Sequence, residues 1–227
     1  DDAEANYIAA FDGSSWTPLA NFLGNGVNST VLSLASGANG LYMGGFFSSA
    51  GDSPADGLAL WDGAAFSSPA GGPGGITRTI LPEDGSLLVG SNDFNPAVGS
   101  ASEVLSVFSN GSWEDPTDLA SGTANDLLRS EFGLIVAGGF TTQDDVVLGV
   151  GVFDDNDDWL GLGAPRLPAI YDLGSSATTL LRVGDTLLVG GRRKAYSGVP
   201  VAGFSIFDFN PTVGDAVFAD RFEDPLR

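Results

Sequence analysis

A six-residue phrase occurs five times in this chain, and it constrains the fold more than any other feature. It reads YIAAFD at residues 7–12, GLALWD at 57–62, VLSVFS at 104–109, GVGVFD at 149–154 and GFSIFD at 203–208. In each copy the second position is apolar, the third is Ala, Ser or Gly, and the fifth is aromatic. Apolar side chains alternating with a period of two mark a strand. Recurrence every roughly 45 to 54 residues means an array of small sheets.

The flanking residues repeat as well. Before copies two to five lies an apolar run ending in small residues, at 41–45, 87–91, 134–139 and 187–191. Another strand-like stretch precedes each run, at 30–34, 76–80, 124–129 and 178–183. Turn chemistry joins them, as in Pro82-Glu83-Asp84-Gly85 and Gly184-Asp185. After the phrase, a short turn such as Asp12-Gly13 or Asp62-Gly63 leads to an aromatic: Trp16, Phe66, Trp113 or Trp159. Each unit is therefore four short antiparallel strands. No stretch carries a helical period, and 33 Gly with 12 Pro suit a turn-dense all-β chain. A unit of this size cannot bury both faces of its sheet alone, so units must stack. Radial stacking gives a β-propeller, here of about four blades, five at most. The paired glycines are expected to let strands approach near the axis, and the aromatics to fill the wider space between blades.

The series of an apolar strand ending in Gly-Gly, a V-x-V-aromatic-Asp strand and a Trp five residues later resembles the kelch-type repeat of galactose-oxidase-like propellers. Residues 134–139, 150–154 and Trp159 match it best, and Gly90-Ser91 and Phe66 depart from it. The resemblance spans about residues 7–208. It implies a propeller over residues 1–210, with 211–227 as a C-terminal tail docked on it or on a neighbouring subunit. Such families usually carry six or seven repeats, against four here. The copper ligands of galactose oxidase have no counterpart in a chain without histidine, so the resemblance implies a scaffold and not that activity.

Composition excludes several functions. The net charge is −20 and Lys194 is the single lysine, so binding to nucleic acid or to an anionic membrane surface is not expected. Without His or Cys there is no Ser-His-Asp triad, no thiolate nucleophile, no disulfide and no Cys-based metal site. A carboxylate pair remains conceivable among 29 acidic residues, but no acidic position recurs in an informative frame, and a non-enzymatic role is expected. No apolar run approaches 18 residues, which predicts no membrane insertion. The chain starts at Asp1, read as a processed form of an exported, bacterial protein that is secreted or held at the cell surface.

Two local features could bind ligands. Asp154, Asn156 and Asp158 place oxygen ligands at alternate positions, as Ca²⁺ requires, so calcium is the candidate cofactor. The EF-hand pattern nevertheless breaks at Trp159 and Pro165, and the same residues suit a hairpin turn. Arg192-Arg193-Lys194, the only basic cluster, suits a carboxylate-bearing ligand, the acidic surface of another copy, or a solvated loop.

The strand arithmetic points to the ends of the chain. First, second and fourth strands each occur four times and the third-strand phrase five times, giving seventeen where four complete blades need sixteen. In one arrangement the ring closes within the chain, leaving a monomeric binding module for a glycan or protein. In the other, the terminal strand or the tail pairs with a neighbouring copy, and open-ended repetition gives a filament. The residues expected to carry assembly are Tyr7, Ile8 and Phe11 at one end and Val217, Phe218 and Phe222 at the other. Residues 216–223 resemble the short F-x-D-G-F-E endings of some secreted gammaproteobacterial proteins. The favoured expectation is an exported structural or interaction module that self-associates, and a piece of a larger propeller protein is a third arrangement.

Overall fold

The computed structural model describes residues 4–22, 24–92, 104–115, 119–142, 147–153, 159–161, 176–192 and 204–208. The chain divides into two compact units, Asp1–Pro116 and Thr117–Arg227. Among the described residues the only helix is a 3-10 turn at Pro69–Gly71, and no helix is long and apolar enough to cross a membrane.

In the first unit, β1 (Ala9–Phe11) and β2 (Trp16–Pro18) form a hairpin. Next come β3 (Thr30–Gly37) and β4 (Gly40–Phe46), then a minor hairpin of β5 (Ser49–Ala50) and β6 (Ser53–Pro54). With β7 (Leu58–Trp61) and β8 (Phe66–Ser67), β3 and β4 make a four-stranded antiparallel sheet in the order β3-β4-β7-β8. A second meander follows: β9 (Ile76–Glu83), β10 (Ser86–Asn92), β11 (Leu105–Ser109) and β12 (Ser112–Glu114). The second unit repeats the plan with β13 (Leu119–Ser130), β14 (Gly133–Thr142), β15 (Val147–Phe153) and β16 (Trp159–Gly161). A three-stranded sheet ends the described chain: β17 (Ser176–Val183), β18 (Thr186–Arg192) and β19 (Phe204–Asp208). Thus the chain is all-β and antiparallel, built from the four-strand unit read in the sequence, and no sheet closes on itself among the described residues.

Every first strand contains a β-bulge at the same place. The register skips Leu32 in β3, Arg78 in β9, Asn125 in β13 and Thr178 in β17. A bulge twists its strand and pushes backbone toward the neighbouring strand. That explains half of the Gly-Gly signature. A Cβ on Gly45, Gly138 or Gly191 would run into the carbonyl oxygen of Thr30, Thr123 or Ser176, each beside the bulge of its own sheet. Gly44, which precedes Gly45, has different work. A Cβ on Gly44 would meet the Thr77 side chain and lie 3.0 Å from Ile80 Cδ1, both on the first strand of the next sheet. Intersheet approach, expected of both glycines, therefore falls to Gly44 in this sheet, whereas Ala137 holds that place in β14 and a Cβ on Gly190 would meet Thr179 of its own sheet.

The sheets stack through equivalent positions. One face of the β3–β8 sheet presents Tyr42, Leu58 and Leu60 to Ile80, Leu87 and Val89 of the next sheet, with Phe108 and Trp113 alongside. In the second unit, Ile135, Val150 and Val152 meet Leu180, Leu187 and Val189. Position for position these are the same junction, used twice. Each fully buried side chain contributes about 1.5–3 kcal/mol, so stacking, and not strand propensity, holds the sheets of each unit together.

The end of the phrase also has its reason. Its aromatic pairs across the strand with the aromatic of the fourth strand: Phe11 with Trp16 at 5.0 Å, Trp61 with Phe66 at 4.5 Å, Phe108 with Trp113 at 5.1 Å and Phe153 with Trp159 at 5.1 Å. Such pairs stabilise a hairpin by about 0.5–1.5 kcal/mol beyond their burial. The closing Asp shapes the turn. Asp12 Oδ1 accepts the backbone N–H groups of Ser14 and Ser15, and Asp62 Oδ1 those of Ala64 and Ala65, all at 2.8 Å. These bonds favour the ionised form and hold both carboxyls below the usual aspartate range.

Candidate assembly surface

Compared with the junction inside each unit, the first and the last described sheets each keep an uncovered face. Leu34 of β3 occupies the position of Ile80 and Leu180. Those two are 7% and 8% exposed, whereas Leu34 is 55% exposed. Its register partner Met43 is fully buried, because Ile8, Leu19 and Val27 from the N-terminal segment cover that part of the sheet. The segment is tied down by backbone: Val27 N–H donates to the Asn6 carbonyl at 3.2 Å, and the Asn6 amide to the Asn25 carbonyl at 3.1 Å. The hairpin β1–β2 thus sits where third and fourth strands of a preceding sheet belong. No first and second strands of that sheet stand beside it among the described residues, and Leu34 is left bare.

The hairpin itself carries the larger exposed patch. Phe11 and Trp16 are 53% and 66% exposed, whereas Phe66 is buried and Trp113 is half-buried with its Nε1–H on the Pro69 carbonyl at 3.2 Å. Tyr7 is exposed and has a φ of 62°, a left-handed conformation costly for an aromatic residue. Ile8 is buried in the core of its own unit. Of the expected assembly residues, then, Tyr7 and Phe11 face outward and Ile8 does not. Val217, Phe218 and Phe222 lie outside the described residues, as do the calcium candidates Asp154, Asn156 and Asp158. Among the described residues no three acidic side chains gather as a metal site would require.

At the other end, Leu181 and Val183 of β17 are exposed. Two of the residues equivalent to Leu181, Ala35 and Leu128, pack against the following sheet. The inner edge of β17 is better guarded. Asp126 Oδ2 accepts the Leu180 N–H at 2.7 Å and the Thr179 hydroxyl at 3.3 Å, and the bulged Asn125 donates its amide to the Ala177 carbonyl at 2.8 Å. These side chains occupy backbone groups that an edge strand would otherwise offer to another chain. An ion pair between Arg182 and Glu131 adds a second clasp, holding the Glu131 carboxyl below its usual range. By contrast, β1 pairs with β2 alone among the described strands, and its other edge has no ladder.

Trp16, Leu34, Leu181 and Val183 were not expected from the sequence. Trp16 was legible as the partner of Phe11. The other three have the same character as their buried equivalents, and only the missing neighbour sets them apart. No protein-family model and no curated protein matches the sequence.

Proposed function

We propose that this chain is an exported, non-enzymatic module of β-propeller type with a structural or interaction role, which associates with copies of itself head to tail. The repeated intersheet junction supports the propeller. Meanders whose first strands pack on the first and second strands of the preceding meander are the packing that radial stacking requires. Self-association rests on one observation: the junction built once inside each unit is left open on Leu34, Phe11 and Trp16 of the first unit and on Leu181 and Val183 of the second. The two open faces are the complementary halves of one junction, so the contact is heterologous and can propagate. Export agrees with a Cys-free, strongly acidic composition that keeps free copies apart.

A second reading has its own support. Phe11 and Trp16 form an exposed tilted pair beside Tyr7, a platform suited to stacking a sugar ring, which favours a monomeric glycan-binding module. Light scattering with negative-stain microscopy separates the two. Regular oligomers or filaments that are lost on deleting residues 1–11, with folded monomers remaining, support assembly. A monomer near 23.2 kDa whose Trp fluorescence changes with oligosaccharide supports the binding module.

A further inference from the structure

Resting on the self-association proposed above, we infer that β1 of one copy replaces β19 as the third strand against β18 of a second copy. The two strands carry the same phrase, with Ala9, Ala10 and Phe11 standing where Ser205, Ile206 and Phe207 stand. Every other third strand has a second strand beside it: β7 has β4, β11 has β10, β15 has β14 and β19 has β18. Only β1 lacks one among the described strands.

The edge of β1 left unpaired among the described strands calls for a first and second strand, because those elements cover Ile80 at the internal junction through Ala35 and Tyr42. The pair β17–β18 carries Leu181 and Leu188 at the matching positions. Seating β18 on β1 in the register of β18 on β19 sets Val189 opposite Ala9 and Leu188 opposite Ala10. Leu181 then covers Leu34, so apolar surface left bare on both partners is buried in one step. The backbone ladder lost with β19 is remade with β1 and is nearly neutral, so this burial drives the exchange. With the inner edge of β17 guarded, release of β19 leaves β18 as the edge to which an incoming strand is directed.

The chain contains no cysteine, so introduced pairs report contacts without background. Directly opposed antiparallel residues have Cα atoms about 4.5–5.5 Å apart, within disulfide reach. In Ala9→Cys/Val189→Cys, mild oxidation is expected to give a ladder of covalently linked copies. Val189→Cys/Ser205→Cys instead locks β19 onto β18. Its oxidised form is expected to assemble about tenfold less than its reduced form, with full recovery in reductant proving that the fold survives. Assembly that persists with β19 locked, or intrachain bonds alone in the first variant, overturns the exchange while leaving face-to-face association standing. A wild-type chain that stays monomeric by light scattering overturns both.

Discussion

Replacing Gly45 by Ala tests whether the bulge is what selects glycine opposite Val31. A Cβ there would lie 3.0 Å from Val31 Cα and closer still to the Thr30 carbonyl oxygen. Both obstacles are backbone and cannot rotate away, so β3 and β4 must part locally. The ladder at this point joins Thr30 to Phe46 and Val31 to Gly45. Losing about two ladder bonds, with some groups left unsatisfied, costs about 2–4 kcal/mol. The smaller conformational freedom of unfolded alanine offsets about 0.5–1 kcal/mol of that. A net loss of about 2–3 kcal/mol should lower the urea midpoint by about 1 M, with m unchanged. Gly63→Ala is the comparison, because nothing lies within 4 Å of its Cβ and only its φ of +102° opposes the change. That strain costs about 1 kcal/mol. If Gly45→Ala proves no more harmful than Gly63→Ala, close approach at the bulge is not why glycine stands there.

Three further expectations concern polar groups and charge. Ser91 takes the Gly45 position in the second meander, and its buried hydroxyl has no hydrogen-bond partner, so Ser91→Ala should raise stability by about 1 kcal/mol in urea titration; a loss of stability would show that the hydroxyl is satisfied. Asp12 and Asp62 have folded pKa values below their unfolded ones, so their contribution is complete above about pH 4 and declines as acid protonates them. Urea midpoints between pH 2.5 and 5 should therefore fall less steeply in Asp12→Asn/Asp62→Asn, whose amide oxygens still accept the turn bonds; parallel slopes would reject this. Copies of net charge −20 repel, so light scattering should report more assembly as NaCl rises from about 0.01 to 0.3 M, and an unchanged or smaller signal would mean that charge does not oppose the contact.

The repeat was legible because its chemistry is local. The third-strand phrase, its cross-strand aromatic and its turn-forming Asp all act within a few residues, and the hairpins β1–β2, β7–β8, β11–β12 and β15–β16 fall where the sequence placed them. First strands were read short. The stretch expected at 30–34 runs to Gly37, and that expected at 124–129 begins at Leu119. Ala35, Ser36 and Gly37 have little strand preference of their own, and pairing with β4 holds them extended. Pro82 looked like a turn residue, yet it lies in β9 opposite Leu87. It is tolerated because a first strand pairs on one side within its meander and has a free edge for a residue without an N–H. The bulges escaped notice because they leave no mark on the pattern: exposure still alternates along β3 through Leu32. As for the assembly surface, Phe11 was visible in the phrase. Leu34 could not be told from Ile80, because exposure depends on a neighbour and not on the residue.

Because both internal junctions use the same positions, one meander can follow another without a new interface having to arise. Duplication or loss of a whole meander changes the length of the array and leaves every remaining contact of a kind already present. The contacts within a meander are between strands close in sequence, with only the β5–β6 hairpin intervening between β4 and β7, so each can form as soon as its own residues are available, whatever lies downstream. Such an architecture ties folding to short stretches of chain and leaves the number of meanders free to drift, while the bulge recurs in every first strand, with Ser91 in place of the glycine in one of them.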